Sequence, residues 1–191
     1  MTLEELAIKY GTDKKCDQGG NGGHGYTIFY EAYFEKYRDQ NINFLELGVR
    51  EGWSLRMWSE YFPNAKIHGI DNNSENLCPT SFDNKNIIFK ICSQTDKESL
   101  EKLAEDCGGF DIIIDDASHI SSLSIESFEI LFNTLKSGGI YVIEDMHVCS
   151  VPIYNPNNYT THQYIDDVLK KRTDISVREF LNRKICFIQK L

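Results

Sequence analysis

Strand-like and helix-like runs alternate along this chain from residue 43 to residue 189, and that alternation restricts the fold more than any other feature. Short apolar runs appear at Phe44–Leu47, Lys66–Ile70, Ile87–Cys92, Asp111–Asp116 and Gly139–Ile143. Between them, Leu55, Trp58, Tyr61 and Phe62 fall at helical spacing before Pro63. Thr95-Asp96-Lys97-Glu98 is a capping-box pattern ahead of Leu100, Leu103 and Ala104. Ile125, Phe128, Leu131, Phe132 and Leu135 mark a further helix, predicted to stop on a glycine C-cap at Ser137-Gly138-Gly139. Strands joined through helices predict a mostly parallel sheet covered by helices on both faces. The last two runs, Ile175–Phe180 and Ile185–Gln189, are separated only by Leu181–Lys184. That gap is too short for a crossover, so they predict an antiparallel hairpin.

The polar stretch Val148–Thr161 reads as a mobile loop, followed by a short helix over about His162–Arg172. Before residue 43, two helical pieces, Leu3–Tyr10 and Tyr26–Tyr37, flank the glycine-rich stretch Gly11–Gly25. The 191 residues suffice for one domain, with 1–42 as a helical cap and 43–191 as the sheet. The aromatic helix is expected to pack on that sheet, and a homo-oligomer stays open.

A net charge of -9 argues against a nucleic-acid partner and against an anionic membrane surface. No apolar run reaches the roughly 18 residues of a spanning helix. The acidic N-terminus does not read as a signal peptide. Cys16, Cys78, Cys92, Cys107, Cys149 and Cys186 form no Cys-x-x-Cys pair. Free thiols in a cytoplasmic protein are therefore expected.

The chemistry-bearing residues fall at strand C-termini, where open α/β sheets bind ligands. Glu46-Leu47-Gly48-Val49-Arg50-Glu51-Gly52 occupies the first strand-to-helix turn. Its glycines would let the backbone approach a ligand. Asp71 ends the next strand, where an acid can take ribose hydroxyls. Arg50 stands where a dinucleotide fingerprint needs its second glycine, which disfavours a pyrophosphate. Glu46, Gly48, Gly52 and Asp71 fit S-adenosylmethionine (SAM), which has no phosphate. Ser93 and Gln94, after the third strand, are placed to meet its adenine.

Asp115-Asp116 and Glu144-Asp145 end the fourth and fifth strands. Several carboxylates in one small volume repel one another unless a cation lies between them. Oxygen ligands favour magnesium. Asp115 and Asp116 point to opposite sides of a strand, so we assign Asp115 to the SAM amino group and Asp116, Glu144 and Asp145 to the metal. His119 is the candidate base for a substrate hydroxyl, and His147 reads as the first residue of a lid.

Tyr10-Gly11-Thr12-Asp13-Lys14 with His24 and Tyr26, then FLELGVREGWSLRMW (44–58), YFPNAKIHGID (61–71), FDIIIDDASH (110–119) and LKSGGIYVIED (135–145), resemble the magnesium-dependent sugar O-methyltransferases of macrolide biosynthesis, the mycinamicin and tylosin type. The resemblance implies a class I SAM-methyltransferase, Rossmann-like fold with seven strands. It implies magnesium on Asp116, Glu144 and Asp145, His119 as base, and a carbohydrate-type acceptor. It also implies that Tyr10, Thr12 and Lys14 close over the SAM pocket, with Lys14 pairing the methionine carboxylate. Two other chemistries compete. A catechol-type O-methyltransferase would by resemblance carry lysine where His119 stands. A non-haem iron hydroxylase could use His119, His147 and Asp116 as a facial triad. A non-catalytic binder is disfavoured by the intact acid set.

Overall fold

Five strands run parallel: β1 (Asn43–Leu47), β2 (Lys66–Asp71), β3 (Ile87–Ile91), β4 (Phe110–Asp115) and β5 (Leu135–Ile143). β6 (Ile175–Phe180) and β7 (Ile185–Lys190) complete a seven-stranded sheet of order β3-β2-β1-β4-β5-β7-β6. β7 lies antiparallel to both β5 and β6, as the short final connection requires. The structure is a computed structural model, and it describes residues 1–17, 20, 22–75, 77 and 85–191. Cys78 and positions 18, 19 and 21 of the glycine-rich stretch lie outside the described residues.

Side-chain alternation along the buried strands divides the interior into two cores. Even-numbered residues Phe44, Ile112, Ile114, Ile140 and Val142 pack with Tyr30, Phe34, Trp58 and Phe62. These come from α2 (Thr27–Phe34) and from α3 (Trp53–Tyr61) and its end, with α1 (Leu3–Tyr10) on the same side. Odd-numbered Leu45, Leu47, Ile113, Tyr141 and Ile143 pack with Leu100, Phe128, Leu131 and Ile165. Those lie on α4 (Lys97–Cys107), α5 (Ser121–Leu131) and α6 (Thr161–Asp167). The order of strands reverses between β1 and β4, so a crevice opens at their C-terminal ends.

Three boundaries differ from the sequence reading. α5 ends at Leu131, a 3₁₀ turn covers Phe132–Thr134, and β5 begins at Leu135. The glycines are therefore no helix cap. They lie inside β5, where the register against β4 shifts between Phe110 and Ile112 and Gly138 has φ +78°. The stretch after Asp145 is not a bare loop, since 3₁₀ turns cover Met146–Ser150 and Pro152–Tyr154 and Cys149 is buried. The last helical signal splits into α6 and a 3₁₀ turn at Leu169–Lys171. Among the described residues, no helix is long and apolar enough to cross a membrane.

Candidate active site

The first turn is built against the chain itself. Gly48 leaves β1 at φ +85°, and a Cβ there would stand 2.2 Å from the Asp116 carbonyl oxygen and 2.5 Å from the Ala117 Cα. The exit of β4 is thus a close approach that demands a glycine here. Asp71 holds the turn from β2. Its Oδ2 accepts the Val49 and Arg50 amides, both at 2.9 Å. Gly52, also at φ +85°, then starts α3.

Parity gathers three acids on the even face. Glu46, Asp116 and Glu144 follow Phe44, Ile114 and Val142, and Lys14 reaches all of them from the N-terminal segment. Its Nζ lies 2.6 Å from Asp116 Oδ2, 2.8 Å from Glu144 Oε1 and 3.6 Å from Glu46 Oε1. Burial alone would lower the Lys14 ammonium, but these carboxylates hold it well above its ordinary value. Burial raises all three acids: Glu46 to about 7 despite Lys14, Ser54 and Trp58, and Asp116 and Glu144 upward against the same ammonium. Tyr30 also donates its hydroxyl to Glu144 Oε1.

Asp145 departs from the alternation. It leaves β5 in the left-handed region, φ 52°, and His119 is likewise left-handed at φ 57°. Such non-glycine residues cluster where function over-determines the backbone. Asp145 Oδ1 accepts the Tyr26 hydroxyl at 2.5 Å and lies 3.2 Å from His24 Nδ1. His119 Nε2 stands 3.8 Å from Asp145 Oδ2. Burial alone would raise the Asp145 carboxyl, but His24, Tyr26 and the charge of nearby histidines hold it well below its usual range.

Ligand atoms of Asp116, His119 and Asp145 all lie within 4.8 Å of one another, the one such group among the described residues. The sequence reading puts Glu144 with Asp116 and Asp145; Glu144 faces Lys14 and Tyr30, and the group of neighbouring ligand atoms contains His119. His147, 3.8 Å from Asp145 Oδ1, stays outside the group, so the facial triad with His119 and Asp116 is not assembled. Two carboxylates and an imidazole suit a hard or borderline divalent cation.

Two cavities adjoin across a wall of Gly48, Asp71 and Ala117. The larger, about 490 Å³, is lined by Gly11–Lys14, Val49–Glu51, Trp53, Ser54 and Asn73, and by the Asp116, His119 and Asp145 group. The smaller, about 180 Å³, is lined by Ile70, Asn72, Cys92, Ser93, Gln94, Ser118 and Leu123. Asp71, Gly48, Thr12, Ser93 and Gln94, which the sequence reading offers for the cofactor, all line one or both of these cavities.

Four residues offered for the cofactor, Tyr10, Glu46, Gly52 and Asp115, line neither cavity. Tyr10 donates its hydroxyl to Glu60, outside the cleft. Glu46 is fully buried and accepts hydrogen bonds from Ser54 Oγ at 2.7 Å and Trp58 Nε1 at 3.3 Å. Asp115 lines neither cavity; its Oδ1 accepts the Ala117 amide at 3.4 Å and Gln94 Nε2 at 3.5 Å. Lys14 does line the cleft, but Asp116 and Glu144 already occupy its ammonium. The sequence reading also missed Tyr30, and it gave no role to His24 or Tyr26. Their spacing on one aromatic segment was a usable signal, since a buried tyrosine needs a partner for its hydroxyl.

A solved structure of MycE, the methyltransferase of the mycinamycin biosynthetic pathway in complex with Mg, SAH and mycinamycin VI, superposes at a TM-score of 0.84 with 29% identity. It covers 100% of this chain and 54% of MycE. The fold is that of the class I SAM methyltransferases. A putative caffeoyl-CoA O-methyltransferase from Staphylococcus aureus shares it at a TM-score of 0.66 and 18% identity, covering 100% of this chain and 93% of that one. Among curated proteins, the chain is 38% identical over 151 residues to the mycinamicin VI 2''-O-methyltransferase of Micromonospora griseorubida, covering 75% of this chain and 36% of the relative. It is 35% identical over 161 residues to the 8-demethyl-8-alpha-L-rhamnosyl tetracenomycin-C 2'-O-methyltransferase of Streptomyces olivaceus, covering 80% and 39%. The chain thus spans less than two fifths of the length of these curated relatives. No family model matches it. The resemblance to sugar O-methyltransferases seen in the sequence blocks is matched by these relatives.

Proposed function

We propose that these residues form the SAM- and magnesium-binding unit of an O-methyltransferase acting on a hydroxyl of a sugar or a sugar-containing small molecule. The observation that carries the reading is the Asp116, His119 and Asp145 group opening onto the cleft that passes Gly48 and Asp71. Asp71 borders both cavities and suits ribose hydroxyls. Ile70, Cys92 and Leu123 give the smaller cavity apolar walls, and Ser93 and Gln94 give it polar groups, a lining suited to adenine. The larger cavity leaves the methionine end and the acceptor beside the acids.

Asp116 and Asp145 are the carboxylates that would hold the metal, with Lys14 and Glu144 behind Asp116. Bound magnesium would supply positive charge that lowers the pKa of an acceptor hydroxyl. His119 takes the hydroxyl proton on its ring nitrogen, with Asp145 Oδ2 3.8 Å from Nε2. The similarity of this chain to sugar O-methyltransferases supports a carbohydrate-type acceptor. Cys16, Cys92, Cys107, Cys149 and Cys186 are all free, which supports a cytoplasmic setting.

Calorimetry with SAM tests the reading: binding in the micromolar range is expected, and no heat at millimolar SAM would reject it. A second reading makes His119 a metal ligand instead of the base, because its nitrogen belongs to the ligand-sized group. His119→Ala separates the two. As base, its loss abolishes turnover and leaves Mn²⁺ affinity within a few-fold; as ligand, its loss weakens Mn²⁺ as well.

A further inference from the structure

We propose that Trp53 is the surface on which the sugar ring of the acceptor stacks, which makes it a specificity-determining residue of the larger cavity. The inference rests on the carbohydrate-acceptor reading above. α3 carries both tryptophans of the chain, and their surroundings are opposite. Trp58 is fully buried against Tyr30, Phe34 and Phe44, and its indole N–H goes to Glu46. Trp53 is half-buried, joins neither apolar core and lines the larger cavity. Its indole N–H meets no acceptor among the described residues. Ligand pockets combine aromatic surface with a few polar groups, and a large ring left out of the core and set into a polar cleft supplies that surface.

The ring is braced in advance. Trp53, Arg56 and Glu60 recur at i, i+3 and i+7, so they form one stripe of α3. The Arg56 guanidinium lies over the Trp53 ring, 5.7 Å from its centroid, and over the Tyr10 ring at 5.2 Å. Tyr10 donates its hydroxyl to Glu60, which also pairs with Lys9 at 2.6 Å. α1 and α3 thus hold the indole before a ligand arrives, and little side-chain freedom is left to lose on binding. A pyranose suits this surface better than the methionine end of SAM. Its C–H bonds gather on the ring faces and its hydroxyls radiate from the rim, so one face can cover an indole while the rim meets polar groups. The indole N–H adds a donor for a sugar oxygen. The methionine end is a flexible chain with an ammonium and a carboxylate, for which the same cavity offers Asp13 and Arg50. Asp116, His119 and Asp145 line that cavity too, so a sugar on Trp53 shares it with the acids and the base.

Methyl α-L-rhamnopyranoside, a deoxysugar glycoside, is titrated at tens of millimolar into protein saturated with S-adenosylhomocysteine (SAH) and Mg²⁺, and tryptophan emission is followed without any turnover. Because Trp58 is fully buried, the emission change reports Trp53. The wild-type chain is expected to give a saturable change that Trp53→Phe lacks. By calorimetry, Trp53→Phe should bind the sugar about threefold more weakly and Trp53→Ala about tenfold more weakly, with SAH affinity within about twofold in both. In methyl transfer the same losses fall on KM, with kcat within a few-fold. Trp53→Leu, which fills space without a ring, serves in place of Trp53→Ala if that variant does not fold. An SAH-loaded wild type with no emission change, a change that persists in Trp53→Phe, or equal sugar affinity without the ring would overturn the inference and leave the cofactor reading standing. An equal loss of SAH affinity would give the ring to the cofactor and overturn it as well. No SAH heat on the wild type would reject the proposed function and this inference with it.

Discussion

Asp115 and Asp116 are neighbours in sequence and stand on opposite faces of the sheet. Asp116 joins the ionic side, where Lys14, Glu46 and Glu144 meet and His119 and Asp145 close the cleft. Asp115 points to the α4–α5 side, among Gln94 and the Ala117 amide, with no cation beside it. Burial raises its carboxyl to about 7. One residue of offset thus separates a carboxylate paired with an ammonium from one that has burial and no cation acting on it. The first can hold a cation and share in chemistry. The second props up the Gln94 wall of the smaller cavity.

The comparison breaks most visibly under paired substitution. Asp116→Asn should lower turnover roughly a thousandfold, the several kcal/mol that a metal's charge supplies, and abolish Mn²⁺ binding. Asp115→Asn should stay within about tenfold, as the loss of one hydrogen bond would give. Equal losses in a steady-state methyl-transfer assay would erase the distinction between the two faces. His119→Ala comes next, with an expected loss of about 10²–10⁴ in kcat and little change in SAM affinity. Tighter or weaker SAM binding by more than tenfold would argue that the imidazole serves the cofactor.

Gly48→Ala acts on both aspartates at once, because its Cβ would push into the Asp116 carbonyl and the Ala117 Cα. Strain at positive φ and this overlap should together cost about 2–4 kcal/mol, read as a melting temperature lower by about 4–16 °C. Glu46→Gln sharpens the view of the ionic side through pH. Glu46 has its folded pKa raised to about 7 from 4.5. A raised carboxyl gives stability that is fully present below about 4.5 and lost as pH rises through about 7. The variant should therefore lose less stability than wild type between pH 5 and pH 8, by at most about 3 kcal/mol. Parallel melting curves across that range would show that Lys14 keeps Glu46 ionised throughout. The smallest effect is expected for Tyr10→Phe, which removes only the Glu60 contact. Turnover should stay within about twofold and melting within about 2–4 °C.

The sheet was readable because parallel strands buried on both faces are written as apolar runs. The hairpin was readable because four residues cannot make a crossover. The end of α5 was not, since Phe132 and Leu135 are apolar in either a helix or a strand and the glycines serve a bulge as readily as a cap. The lining of the larger cavity was legible at strand ends, as with Asp71, Asp116, His119 and Asp145. It was hidden where partners come from afar. Lys14 meets Asp116 across 102 positions and Glu144 across 130, a pairing that no local pattern encodes. The same distance hid the burial of Glu46, whose parity with Asp116 and Glu144 became visible only once β1, β4 and β5 were aligned.

The most direct test of the whole account follows a labelled methyl group. The protein is incubated with trideuteromethyl SAM, Mg²⁺ and a panel of sugar nucleotides and deoxysugar glycosides, and products are weighed by mass spectrometry. The account predicts the label on a sugar oxygen, lost when Mg²⁺ is chelated and in Asp116→Asn, and retained in Asp115→Asn. Transfer that persists in Asp116→Asn, or that ignores chelation, would contradict it.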